Sequence, residues 1–357
     1  MEIAKLGSNF RREKMIEDWN SLVWTERYSS NGDFELVSNN IGYTLDMLPL
    51  GDLDDPPTLV SIDESDVPMV VESHKIEKKK NSPPQIVTSG RSFETVLDRR
   101  IALQAVTSGV ARSEWLVEAT SSAFAAHAVI KAIVVDGVAS TDDIMSEISL
   151  VNAVADVGPS IKYPVEPKEL YAWAIETLAL GKYGMRSIMP SGIDTDITIQ
   201  IYEGVDRTTE VVFDVALDQV KDPAYFLSNV GHKNVMITST ANGMEYSVNG
   251  TMPTGLSRRV GFQDLSSEVT VPAGAELTNL TINKGKIALA DLYPIALFSG
   301  GVAENISSGY DSSYKLGDVV TLQGEYGLYQ LARVAEFVRT HDNTGIKAYP
   351  TFEAVTP

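Results

Sequence analysis

The chain has 357 residues, 48 acidic against 29 basic for a net charge of −19, no cysteine, and 43% hydrophobic residues. Such a length exceeds one small core and suits two to four domains. The lack of cysteine excludes a disulfide scaffold, thiolate-held zinc, iron–sulfur clusters and thiol catalysis, and the acid excess leaves no basic domain to grip nucleic acid.

Residues 1–17 alternate in charge without an apolar run, so no signal peptide is expected and synthesis in a cytosol is. Residues 19–90 read as strands. Trp24, Tyr28, Phe34 and Leu36 flank Asn31-Gly32, a strong hairpin signal in which Gly32 is expected to supply a positive φ. An acidic stretch follows from Asp46 to Asp66 with seven acids and no base, interrupted by the apolar run 58–62. Residues 67–77 and 85–88 predict a second hairpin, with Lys78, Lys79 and Lys80 at a solvated tip.

From residue 91 the period changes. Gly90 is expected to allow a sharp turn and Ser92 to cap a helix carrying Phe93, Val96, Leu97 and Ile101 on one face, while Arg91 offers a fork for a carboxylate. Helical patterns continue over 115–135, 142–154 and 167–180, so residues 91–185 read as mostly helical. The stretch 123–138 is the most apolar, but His127, Lys131 and Asp136 exclude a membrane span there.

Residues 186–300 return to short strands, at 193–202, 211–216 and 235–240; 290–298 is helical or extended. Arg258 and Arg259 lie beside an apolar turn and are expected in ion pairs. Residues 310–352 repeat an earlier theme. Thr58–Ile62, Met69–Glu72 and Ile86–Thr88 correspond to Asp318–Leu322, Arg333–Glu336 and Ile346–Ala348. Internal duplication and a chance likeness of two hairpin sets both account for this.

Catalytic motifs are missing. There is no His-Glu-x-x-His, no Gly-x-Ser-x-Gly, no Walker A loop and no Gly-x-Gly-x-x-Gly. The four histidines, His74, His127, His232 and His341, show no ligand spacing. Asp52, Asp54, Asp55, Asp63, Glu64 and Asp66 suggest calcium ligands or a carboxylate pair, yet they lack the glycine and distal glutamate of a calcium loop; a solvated loop is the expectation. No catalytic residue, cofactor or metal is assigned.

In order and spacing, several segments resemble one phage family. They are Trp24 with Gly32-Asp33-Phe34-Glu35-Leu36; Val70-Val71-Glu72; Ser89-Gly90-Arg91-Ser92 with Leu97-Asp98-Arg99-Arg100; Tyr202 to Thr208; Gly255-Leu256-Ser257-Arg258-Arg259; Leu316 to Val320; Ala332 to Glu336; and Tyr349-Pro350-Thr351-Phe352. The family is the siphophage minor tail proteins called ReqiPepy6 Gp37-like, which belong with baseplate or tail-tip hub proteins. The resemblance implies an α+β, β-rich hub with duplicated tube-type β domains and a mostly helical inserted domain. The implied domains are 1–90 (tube-type), 91–190 (helical, peripheral), 191–309 (β-rich with insertions) and 310–357 (hairpins completing a second tube-type domain).

It also implies a homotrimer at the tail tip of the virion, contacting the distal tail protein, the tape measure protein and other tip proteins, with genomic DNA passing unbound. Residues expected at structural or subunit contacts are Gly32, Phe34, Glu35, Glu72, Gly90, Arg91, Arg99, Arg100, Arg258, Arg259 and Glu336. Asp63, Glu72 and Glu336 are candidates for a channel wall that repels phosphates. The competing expectations are a tail-associated cell-wall hydrolase and a carbohydrate- or receptor-binding module. The first lacks a buried carboxylate pair or metal set. The second wants exposed aromatics, whereas Trp19, Trp24, Trp115 and Trp173 sit in periodic, core-like segments.

Overall fold

A computed structural model describes the chain except for residues 51–55, 79–82, 105–114, 159, 192–195, 229, 241–242, 249, 266–280, 283, 287, 290–291, 293–294, 303–308, 325–326 and 356–357, and the side chains of 221–228 and 295–302. Contacts divide it into two units: residues 1–211, 302–320 and 333–353 form the first, and 212–301, 321–332 and 354–357 the second.

The first unit opens with β1 (Ile3–Leu6), β2 (Arg12–Met15), β3 (Ser21–Arg27), β4 (Asp33–Ser38), the short helix α1 (Ile41–Met47), β5 (Leu59–Ile62), β6 (Met69–Glu77) and β7 (Gln85–Ser92). A 3-10 helix (Phe93–Arg99) leads to β8 (Trp115–Ala119), α2 (Ser122–Val134), β9 (Ile148–Asn152), β10 (Ile161–Val165), α3 (Leu170–Ala179), β11 (Gly184–Ile188) and β12 (Ile197–Tyr202). The second unit contains β13 (Val212–Asp214), β14 (Val220–Ser228), β15 (Val235–Thr240), β16 (Gly243–Val248), β17 (Val260–Asp264) and most of β18 (Ile295–Val302). Then come β19 (Val319–Gln323), β20 (Tyr329–Asp342) and β21 (Gly345–Ala354).

The main sheet of the first unit runs β20-β3-β4-β7-β6-β5-β1-β2, with β21 on β20. Alternation explains it: Leu22 and Trp24 of β3, and Phe34 and Leu36 of β4, point to one side and are at most 1% exposed. In β5 and at the start of β6, alternation gives way to continuous burial because both faces are covered. Leu59 and Val70 enter a core with α2 and α3, while Val60, Ile62, Met69 and Val71 enter another with Trp24 and Phe34. Val129, Ile130 and Ile133 of α2 are fully buried, each contributing about 1.5–3 kcal/mol over exposure.

Several local expectations are corrected. Residues 115–119 and 148–152 are strands rather than helix, because each finds a partner far along the chain: β8 pairs antiparallel with β10, and β9 parallel with β12. Residues 91–190 therefore mix α2 and α3 with four strands. Ser121, not an earlier residue, caps α2 by accepting from Phe124 N at 3.4 Å. Ser92 precedes the 3-10 helix but makes no capping bond; its hydroxyl serves Gly32 and Glu94 instead.

Gly32 does not adopt a positive φ. A Cβ there would lie 2.4 Å from Thr25 O, so glycine is needed for close approach across the hairpin. Gly90 is no turn either. It lies within β7, opposite Phe34 of β4 and Val71 of β6, with a register shift between Val71 and Ser73. The Lys tip from 79, the acids Asp52, Asp54 and Asp55, and most of 265–310 lie outside the described residues. Among the described residues, no helix is long and apolar enough to cross a membrane.

Candidate assembly surface

Charged residues of alternating sign cross five neighbouring strands of the main sheet. The Cα register sets Glu336 of β20 opposite Arg27 of β3, and Asp33 of β4 opposite Arg91 of β7. Arg27 Nε lies 2.6 Å from Glu336 Oε1, and the same guanidinium pairs with Asp33. Arg91 grips Glu72 with two bonds, Nε to Oε2 at 2.8 Å and Nη2 to Oε1 at 2.7 Å, and reaches Asp98 at 3.2 Å. The fork expected of Arg91 is thus formed, and it ties β6 to the strand-to-helix junction. Burial lowers the proton affinity of Arg27, but bonds to Glu336 and Asp33 outweigh it and the net direction is upward. Glu72 falls at the register shift of β6, which frees its side chain from the ladder.

The other sequence candidates divide. Phe34 is buried between Trp24 and Gly90, and Glu35 is exposed on β4. Arg99 is exposed, while Arg100 meets Asp143 at 3.2 Å. Asp63 lies apart from the belt and accepts from Glu2 N at 2.6 Å. Burial raises its proton affinity, but bonds from Glu64 and Glu2 more than offset this and hold it low. Arg258 and Arg259 belong to the second unit, where Arg258 lies 5.6 Å over the Tyr246 ring. Glu72 and Glu336 are each paired with an arginine, so they add less to a repulsive wall than their formal charge suggests.

An open groove of about 340 Å³ adjoins the belt, lined by Arg27, Ser29, Ala335, Glu336, Thr351 and Phe352. Thr351 Oγ1 donates to Glu336 Oε2 at 2.9 Å, which joins the two C-terminal motif segments. Trp24 and Trp173 are buried, and Trp19 and Trp115 pack against the cores, as their spacing predicted. Among the described residues, no three His, Asp or Glu side chains are grouped to hold a metal ion.

Three buried polar clusters were not foreseen. Arg339 of β20 pairs with Glu26 of β3, with both side chains under 10% exposed, and the Arg339 guanidinium lies 4.6 Å over Phe337. Glu26 continues the period of Leu22 and Trp24, so alternation alone marked it as inward-facing. Asp318 accepts from Arg207 Nε and Val205 N, each at 2.8 Å, bringing together two motif segments more than a hundred residues apart.

The third cluster centres on Glu94, which is 2% exposed. Ser92 Oγ accepts from Gly32 N at 2.8 Å and bonds Glu94 Oε1; Ser187 Oγ lies 2.7 Å from Oε2. Desolvation raises the Glu94 proton affinity, and the bonds from Ser92 and Ser187 oppose it without reversing it. The surroundings are Tyr171 of α3, Ser187 of β11, Tyr202 of β12, and Arg91 and Asp98 beyond. A neutral Glu94 keeps both bonds by donating to Ser187. With the folded pKa above the unfolded one, the folded state binds the extra proton. Stability is therefore full below about pH 4.3 and declines as pH rises, by at most about 1.4 kcal/mol per pH unit, until the folded pKa is passed. Glu94→Gln is expected to flatten this decline. Urea midpoints at pH 5 and pH 8 that shift equally in variant and parent would refute it.

Comparison with known proteins agrees with the fold. Residues 6–352 match the family described as Siphovirus ReqiPepy6 Gp37-like protein. The 43 kDa tail protein of prophage MuSo2 from Shewanella oneidensis superposes with a TM-score of 0.59 at 13% identity, covering 99% of this chain and 98% of that one. The tail protein from Neisseria meningitidis MC58 gives 0.57 at 12% identity, covering 99% and 95%. Prophage tail protein gp18 from Listeria monocytogenes EGD-e gives 0.56 at 10% identity, covering 100% and 96%. No curated protein sequence matches significantly.

Proposed function

The chain belongs to the Siphovirus ReqiPepy6 Gp37-like family of phage tail proteins, and from that premise we propose that it forms the hub at the distal tail tip. In this role three copies form a ring through their N-terminal and C-terminal β segments. The ring links the tail tube to the host-contacting tip, meets the distal tail and tape measure proteins, and frames the channel through which DNA leaves. The protein acts through geometry and catalyses nothing.

The observation that carries this reading is the paired arrangement in the main sheet. Strands β5, β6 and β7 are successive neighbours on one side of the β3–β4 hairpin, and β19, β20 and β21 are neighbours on the other. Each set places a glutamate, Glu72 or Glu336, against an arginine of an adjacent strand. Two such sets are the duplicated tube-type elements of the proposal, and in three copies they present six similar faces to a six-fold tube. A net charge of −19 per chain suits a channel that passes DNA without holding it.

The test is the mass of the purified chain and a reconstruction of the tail. Three copies on the tail axis, at its distal end, are expected. A monomeric or six-copy ring, or a peripheral position, would overturn the proposal. Arg91→Ala serves as a probe of the belt. Its partners are partly exposed, so stability is expected to fall by only about 1 kcal/mol, while tail assembly is impaired. Normal tails from that variant would remove the belt from the proposal.

A further inference from the structure

The pair Asn31-Gly32, which opens β4, carries a chemical liability as well as a turn. Glycine has an unhindered backbone nitrogen, and the asparagine amide carbon lies within its reach. In an open chain that nitrogen attacks the asparagine Cγ. The N–Cγ bond forms, the Cγ–Nδ2 bond breaks, and the leaving ammonia carries away the proton of the glycine nitrogen. Water then opens the five-membered imide at either carbonyl, which leaves an aspartate or its β-linked isomer. No oxidant or reductant takes part; an amide is exchanged for a carboxyl. The chain contains this pair three times, at Asn31-Gly32, Asn242-Gly243 and Asn249-Gly250.

At Asn31-Gly32 the fold holds the reacting peptide unit at both ends. Gly32 N donates to Ser92 Oγ at 2.8 Å in a buried bond, and Asn31 O accepts from Arg27 Nη1 at 3.1 Å. Ser92 N donates in turn to Gly32 O at 3.0 Å. The attack requires the Gly32 nitrogen to shed its proton and the peptide plane to swing toward the asparagine side chain. Neither happens while these bonds stand. The serine is itself oriented: its hydroxyl donates to Glu94 Oε1, and Ser187 Oγ lies 2.7 Å from Oε2. With its one proton committed to Glu94, Ser92 Oγ turns a lone pair toward Gly32 N–H.

We propose that Asn31-Gly32 is a latent self-modification site, and that the hydrogen-bond chain from Glu94 through Ser92 to Gly32 keeps it unreacted in the folded protein. Conversion places a new carboxylate two residues before Asp33, beside the arginine that both share. In the β-linked product it also lengthens the backbone where Gly32 passes Thr25 O with no room for a Cβ. Either product loosens the β3–β4 hairpin, so the buried carboxyl protects the strand pair at the centre of the charged belt.

Peptide mass spectrometry of the full-length chain, aged in mildly alkaline buffer with and without urea, tests it. In urea all three asparagines are expected to convert at similar rates. In the folded parent Asn31 is expected to convert at least about tenfold more slowly than in urea, the factor set by a local opening that costs about 1.4 kcal/mol. Ser92→Ala is expected to remove most of that protection while circular dichroism still reports a folded chain. Glu94→Met is expected to give a smaller rise at Asn31. Glu94→Gln, whose amide oxygen still accepts from Ser92, is expected to stay at the parent rate. Should Ser92→Ala fail to fold, the contrast between the two Glu94 variants decides. Conversion of Asn31 in the folded parent as fast as in urea would overturn the inference. So would a folded Ser92→Ala chain that remains protected, or equal Asn31 rates in Glu94→Met and Glu94→Gln.

Discussion

Replacing Arg339 with methionine is expected to destabilise the first unit by about 3–5 kcal/mol, lowering its melting temperature by roughly 10 °C. The substitution keeps most of the side-chain volume but leaves the Glu26 carboxylate buried without its cation. Glu26 and Arg339 are 8% and 5% exposed, so water cannot replace the lost partner. The cost is that of stranding a charge, and it differs from the net value of the pair. For that reason the double variant Glu26→Gln with Arg339→Met is expected to recover more than half of the loss. Calorimetry on the three variants decides the matter; a single variant that melts within a degree or two of the parent would show that Glu26 finds another way to be neutralised.

A second large effect is expected at Gly90. A methyl group there would sit 1.7 Å from the Val70 carbonyl oxygen and 2.9 Å from the Phe34 ring. The first obstacle is backbone in a strand held on both sides, so neither partner can yield without loosening the β4-β7-β6 pairing. Gly90→Ala is expected to cost more than about 3 kcal/mol, above the usual range for overpacking, and to reduce soluble yield sharply. Gly42→Ala is the control, since nothing lies within 4 Å of its added methyl and the site is helical. It is expected to leave stability unchanged or to raise it by up to about 1 kcal/mol. Equal melting of the two variants would rule out the steric account.

The comparison of sequence and fold divides along the range of the interactions. Asn31-Gly32 announced its hairpin, and the alternation in 197–202 and 235–240 announced β12 and β15, because these signals are local. That Arg91 would hold a carboxylate was legible at its strand-to-helix junction, but its partners Glu72, on a neighbouring strand, and Asp98 were not named by any local signal. The residues 115–119 and 148–152 misled because short apolar runs satisfy both periods, and only distant partners chose between them. Glu26 and Arg339 stand 313 positions apart, and no local pattern pairs them. Gly32 and Gly90 were recognised as purposeful, but for torsional freedom, whereas the constraint is the nearness of another strand.

The place of β20 beside β3 has a consequence for how the chain comes off the ribosome. Strand β3 has β4 as one neighbour almost at once, but its other neighbour is synthesised some 310 residues later. Until then β3 is an open edge and Glu26 has no cation. The N-terminal half therefore cannot complete its sheet until β20 has been made, and its folding waits for that strand. Pairings across so long a loop are slow to form, and an unfilled edge invites pairing with other chains. A chain interrupted before residue 336 is left permanently in that state, with β3 an unfilled edge and Glu26 without its cation.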